Sequence, residues 1–168
     1  GKKIKAETPD VKVLYTRTSD VFIELSERSA FANRNKADLF MSIHCNFAPK
    51  SSTVKGTETF VMGLHKTEGN LEVAKRENAV IRQEDNYKQQ YKGFDPDSPL
   101  AHIMLANYQS AFLSNSLSLA SKIEHQFKRH AARSSRGVKQ AGFLVLWKAA
   151  MPSVLIETGF MSNAEEER

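Results

Sequence analysis

The sequence predicts a single α/β domain, a twisted, mainly parallel or mixed sheet flanked by helices. Short apolar runs of strand formers recur along the chain, separated by longer stretches with helical spacing. Its 168 residues, 40% hydrophobic, suffice for one proper core. Two of the apolar runs, DLFMSIHCN (38–46) and PSVLIETGFMSN (152–163), end in residues capable of chemistry. The C-terminal ends of strands are where an open α/β sheet places its active site.

In chain order, Lys2–Glu7 reads as the last turn of a helix, closed by Pro9 because proline disfavours helix in the residue before it. The opening residues carry no initiator Met and start as the end of a helix, so the chain is expected to begin partway through a domain. Residues 11–17 (VKVLYTR) read as a strand. A loop and a helix follow, with Ser26 as N-cap, Glu27 in the first turn, and Phe31 and Ala32 toward the sheet. Arg17 and Asp20 either brace that loop or form a surface pair of little worth.

After the strand ending in His44 comes an exposed polar loop, then a strand near the sheet edge at 56–63, GTETFVMG. Helical spacing resumes at Asn70, with Leu71, Ala74, Asn78 and Ile81 sharing a face. The polar stretch 84–99 is long for a connector, hence mobile or functional. A long helix is expected from about His102 to Arg129, with Leu113, Leu117, Ala120, Ile123 and Phe127 as a packing stripe. ARSSRGVKQ reads as a loop and GFLVLWKA (142–149) as a strand, with Trp147 a core or rim residue or, less simply, a substrate-stacking one. Residues 154–156 complete a set of about five strands.

The net charge of +5 favours an anionic partner but also fits plain solubility, and basic residues scattered among acids are no nucleic-acid signature. One cysteine excludes an internal disulfide. Neither a signal peptide nor a membrane-spanning apolar run is present in these residues.

On a strand, alternation places Phe40, Ser42, His44 and Asn46 on one face and Leu39, Met41, Ile43 and Cys45 on the other, so His44 and Cys45 cannot act as base and nucleophile together. Cys45 reads as a small buried residue. A histidine here is by itself more readily a hydrogen-bonded core imidazole than a ligand. Glu157 follows Val154, Leu155 and Ile156 where an ionised carboxylate is costly unless paired or used. It could be a cap, an ion-pair partner, a metal ligand or a general base. Gly159 then lets the backbone turn. One strand ending in His and another in Glu are what a metal hydrolase of this fold class needs.

Taken together, YTRTSD (15–20), ERSAFANRNKADLFMSIHCN (27–46), GTETFVMG (56–63), KRENAVI (75–81), VKQAGFLVLWKAAMPSVLIETGFMSN (138–163) and AEEE (164–167) resemble the zinc-dependent N-acetylmuramoyl-L-alanine amidases of bacterial cell-wall turnover. The blocks keep that family's order and spacing over nearly the whole chain. The resemblance implies a six-stranded sheet, one catalytic Zn2+, a periplasmic or extracellular place in the cell envelope, and peptidoglycan as substrate. The reaction implied is hydrolysis of the amide between N-acetylmuramic acid and L-alanine. By its position in SIHCN, His44 matches the family's last zinc ligand. By its position in PSVLIETGF, Glu157 matches the catalytic glutamate.

The family's other two zinc ligands, a His in a Gly-rich turn and a Glu on the next helix, have no counterpart in this sequence. His65, His102, His125 and His130 lack the context to replace them. The resemblance thus implies an amidase catalytic domain over 1–168 that lacks its N-terminal part, with the remaining ligands expected upstream of Gly1 and zinc held only weakly by His44 in the chain as written. It also implies an insertion at about 64–121 like that of Gram-negative periplasmic amidases. Within it, 84–112 would form a lid that an activator protein draws away, with Glu84 or Asp85 reaching toward the metal; a solvated surface excursion is the alternative. Two other readings stay open, a non-catalytic peptidoglycan-binding module of the same fold and a zinc carboxypeptidase-like peptidase.

Overall fold

The computed structural model describes residues 1–107 and 111–167. The apolar run leading to His44 forms β1 (Phe40–Asn46), and the run leading to Glu157 forms β4 (Ser153–Phe160). With β2 (Thr57–Met62) and β3 (Ser135–Ala141) they make a mixed four-stranded sheet in the order β1-β4-β2-β3. β1 runs parallel to β4 and β2 parallel to β3, while β2 and β4 are antiparallel. Among the described residues six helices accompany them: α1 (Lys2–Glu7), α2 (Leu25–Arg34), α3 (Glu68–Asn78), α4 (Tyr87–Gln90), α5 (Pro99–Ala106) and α6 (Leu113–His130). A 3-10 turn, Ala79–Gln83, extends α3.

Each face of the sheet has its own apolar layer. Phe40, Phe60, Met62 and Leu155 pack with Ala74, Ile81 and the buried segment Phe143, Leu144 and Leu146 on one side. The Phe60 and Phe143 rings meet edge to face at 5.2 Å. On the other side Val61, Val154 and Ile156 receive the α6 stripe of Leu113, Leu117, Ala120, Ile123 and Phe127, as its helical spacing requires. Fully burying a side chain such as Phe60 or Leu155 contributes roughly 1.5–3 kcal/mol, so the central strands are fixed firmly.

Several sequence-based expectations are corrected. Residues 11–17 are irregular rather than a strand: Val11, Leu14 and Tyr15 are exposed and no neighbouring strand pairs with them. The run 142–149 forms buried turns, with Leu146 and Trp147 amides bonded to the Phe143 carbonyl. The neighbouring polar stretch supplies β3 instead, giving four strands, not five. A continuous apolar run shows burial without showing conformation, and a sheet edge tolerates Ser, Arg, Lys and Gln. The long helix is two helices, α5 and α6; the expected middle, 108–110, lies outside the described residues.

The corrections at Cys45 and Gly159 concern packing. Cys45 is exposed, because the outward face of β1 lies open, with Ile43 68% exposed and Met41 and Leu39 also in solvent. Gly159 stays extended within β4. A Cβ there would come within 2.7 Å of Arg133 Nη2 and 3.1 Å of Glu166 Oε2, so glycine leaves room for that ion pair rather than for a turn. Two smaller details also differ. The N-cap of α2 is Glu24 rather than Ser26, and Arg17 donates to the Val21 carbonyl rather than pairing with Asp20.

Candidate metal and catalytic site

A row of polar residues crosses one face of the sheet. His44 on β1 is the register partner of Glu157 on β4, and Glu157 is in turn the partner of Glu58 on β2. Alternation along β1 holds as expected, with Phe40, Ser42 and Asn46 buried on the His44 side. The helix α3 closes the row from the side. Its Leu71, Ala74 and Asn78 are buried, Thr67 caps its N-terminus by accepting from the Asn70 amide, and Glu77 is thereby carried to His44.

His44 Nδ1 lies 2.8 Å from Glu77 Oε2, and its Nε2 lies 3.1 Å from Ser42 Oγ. Ser42 is therefore the group that orients the ring from behind. His44, Glu77 and Glu157 each bring a ligand atom within 4.8 Å of the other two. Among the described residues they are the one group of this kind. Both carboxylate oxygens of Glu157 are buried and neither has a hydrogen-bond partner. A buried acid left so is costly in its ionised form, and the groups around it add to that cost. Burial, then the negative charges of Glu77 and Glu58, push it up to about 8, against a smaller opposing pull from Arg76. For Glu77, burial pushes upward, but the hydrogen bond to His44 and the charges of His44 and Arg76 outweigh it and hold the carboxyl below its usual range.

A hydrogen-bonded chain surrounds Glu157 without touching it. Arg76 Nε lies 3.4 Å from Glu77 Oε1 and its Nη2 donates to Asn46 Oδ1 at 2.7 Å. Asn46 Nδ2 donates to Glu58 Oε2 at 3.3 Å, and Glu58 Oε1 accepts from Arg136 Nε and from Lys139 Nζ at 2.7 Å. One imidazole and two carboxylates, one of them with both oxygens unbonded, are donors that suit a zinc ion.

His44 and Glu157 are thus brought together; Glu84 and Asp85 are not. Glu84 accepts from the Leu25 amide at 2.8 Å and the Tyr91 hydroxyl at 2.7 Å, and Asp85 is exposed. The carboxylate that reaches the cluster is Glu77, which the sequence reading passed over inside KRENAVI. Its signal was its place beside Asn78, at the border of the buried face of α3. Glu58 was also missed. It shares the parity of Phe60 and Met62 in GTETFVMG, which puts a charge on a core-facing position and asks for partners. His102 is a structural histidine, buried between Asn78 Nδ2 at 3.4 Å and the Pro96 carbonyl at 3.0 Å.

A mixed sheet that brings an imidazole and an unpartnered carboxylate from neighbouring strands to a second carboxylate on α3 defines an α/β domain with a metal-type site. Residues 1–168 match the N-acetylmuramoyl-L-alanine amidase family throughout, and the chain belongs to that family. It is similar to the N-acetylmuramoyl-L-alanine amidase AmiA of Salmonella typhimurium, 36% identical over 156 residues that cover 91% of this chain and 52% of that protein. It is also similar to AmiC of Escherichia coli, 34% identical over 161 residues covering 95% of this chain and 37% of the other. The chain therefore spans about half the length of AmiA and less of AmiC. The crystal structure of an N-acetylmuramoyl-L-alanine amidase from Clostridium difficile 630 shares the fold, with a TM-score of 0.63 at 24% identity over 99% of this chain and 66% of that one.

Proposed function

We propose that the chain carries the catalytic glutamate and part of the zinc site of an N-acetylmuramoyl-L-alanine amidase acting on peptidoglycan in the bacterial cell envelope. The observation that carries this reading is Glu157, buried with both oxygens unbonded at the side of His44 and Glu77. His44 and Glu77 would hold zinc, with Ser42 fixing the imidazole from behind. When bound, zinc supplies a Lewis acid that polarises the amide carbonyl and makes water a stronger acid. Glu157 accepts the proton of the attacking water and returns it to the amine of L-alanine as the carbon–nitrogen bond breaks. A carboxyl pushed up to about 8 exchanges protons readily near neutral pH in both directions.

Purified sacculi incubated with the protein should release peptides that begin with L-alanine, and Glu157→Ala should stop the release. A wall-binding module would bind sacculi and release nothing; a carboxypeptidase would release single C-terminal amino acids. Family membership supports the envelope location, and no described helix is long and apolar enough to cross a membrane. The insertion at 64–121 is the proposed surface for an activator protein. On that reading, activator binding raises peptide release, and removing 84–100 from a protein that still folds raises basal release. Unchanged release in both experiments would count against it.

A further inference from the structure

The amidase reading gives Arg136, the partner of Glu58, no task beyond that ion pair. Arg136 lies on the edge strand β3, where two residues, Arg136 and Gly137, stand opposite the single residue Glu58: Thr57 pairs with Ser135 and Thr59 with Val138. Such a bulge re-aims a side chain, and Gly137 takes the positive φ of 85° that it needs. The result is that Arg136 Nε donates to Glu58, the register partner of Glu157. The guanidinium also lies 5.4 Å over the ring of Phe160, three residues beyond Glu157 on β4. Its plane is thus fixed by a buried carboxylate at one edge and an aromatic face beneath.

The remaining edge of the fork is open. Arg136 is 41% exposed while Glu58 is 3% exposed, and the two terminal nitrogens of Arg136 donate to no described residue. Arg136 also lines an open cavity of about 720 Å³ with Lys128, Arg133, Ser134 and Ser135. Two of the neighbouring cations are already engaged: Arg133 Nη2 donates to the Thr158 carbonyl and to Glu166, and Lys139 donates to Glu58, while Lys128 lines the cavity as an exposed ammonium. A guanidinium held in plane with two parallel donors to spare matches a carboxylate in bidentate fashion, which an ammonium cannot do.

We propose that Arg136 binds a carboxylate of the peptide half of the substrate and that the cavity beside it seats that peptide. The assignment rests on the amidase reading for the identity of the substrate. The leaving half of the cleaved amide is a peptide, which carries its own free carboxylate, and Arg136 stands one hydrogen bond beyond the residue facing Glu157.

The test is calorimetric titration of the full chain with a synthetic tetrapeptide that begins with L-alanine, in two forms, with free carboxylates and with all carboxylates amidated. The wild type should bind the free form about ten- to a hundredfold more tightly, the range for a charge-assisted bidentate contact. Arg136→Gln should bind both forms as weakly as the wild type binds the amidated one, and Arg136→Lys should fall between. On sacculi, Arg136→Gln should raise KM while leaving kcat within about threefold, a split that a general loss of folding would not produce. A wild type indifferent to amidation, or an Arg136→Gln protein that keeps the preference, overturns the assignment. Should Arg136→Gln fail to fold by circular dichroism, an undiminished preference in Arg136→Lys overturns it equally. Intact carboxylate preference without any peptide release from sacculi would instead strike the amidase reading alone.

Discussion

Glu58 and Glu157 face each other across neighbouring strands, both out of water, and the fold treats them in opposite ways. Glu58 receives Asn46, Arg136 and Lys139; Glu157 receives nothing. On the opposite face of the sheet Glu124 repeats the first pattern, accepting from the hydroxyls of Thr57, Thr59 and Ser135. Glu84 does so again, held by the Leu25 amide and Tyr91 at the start of α2. Where a buried acid serves the scaffold, this protein satisfies it. The exception at Glu157 is therefore not loose packing, since three other buried acids among the described residues are paired, and it is the observation on which the proposed catalytic role rests.

That contrast can be broken by mutation. Removing Glu157 as Ala should lower peptide release from sacculi by about 10²–10⁴-fold, the usual worth of a positioned general acid–base. Glu124→Gln should do the reverse: urea unfolding should show a loss of about 1–3 kcal/mol, since one acceptor oxygen becomes a donor facing hydroxyls. The folded protein should keep its rate within about twofold, as α6 lies on the far side of the sheet. A smaller loss, about 1–2 kcal/mol, is expected from Glu84→Gln, which weakens two bonds at the α2 N-terminus rather than three. A large rise in peptide release by Glu84→Gln would instead show that this residue restrains the active site, contrary to its observed partners.

Much of this site was legible beforehand because it lies on regular elements with one buried face. Alternation in FMSIHCN put His44 inward with Ser42 and Asn46, and the apolar run before Glu157 marked a buried strand end. Spacing along α6 and α3 likewise gave their packing faces. What escaped depended on contacts between distant segments. Residues 11–17 have strand composition, but a strand exists only when another pairs with it. β3 is polar because it is an edge, and 142–149 is apolar because it is buried in turns. Glu77 carries only a faint local mark, its place at the border of the buried α3 face, since the packing of α3 beside the sheet is what brings it to His44. Glu58 does carry one, an acid at a core parity, and its partners Arg136 and Lys139 lie in a stretch whose composition reads as a loop.

The most direct test of the central claim compares the pH dependence of unfolding of the wild type and Glu157→Gln, with divalent metal chelated. A carboxyl whose folded value is raised from 4.5 to about 8 holds its proton in the native state while the unfolded chain gives it up. Its contribution is fully present below about pH 4.5 and is lost as pH rises toward 8, on the order of 3 kcal/mol across that window. The wild type should therefore lose stability relative to Glu157→Gln between those limits and be the less stable of the two at pH 8. A stability difference that stays flat with pH, or a Glu157→Gln protein less stable than the wild type at pH 8, would mean that Glu157 is a satisfied scaffold acid like its neighbours and would contradict the account.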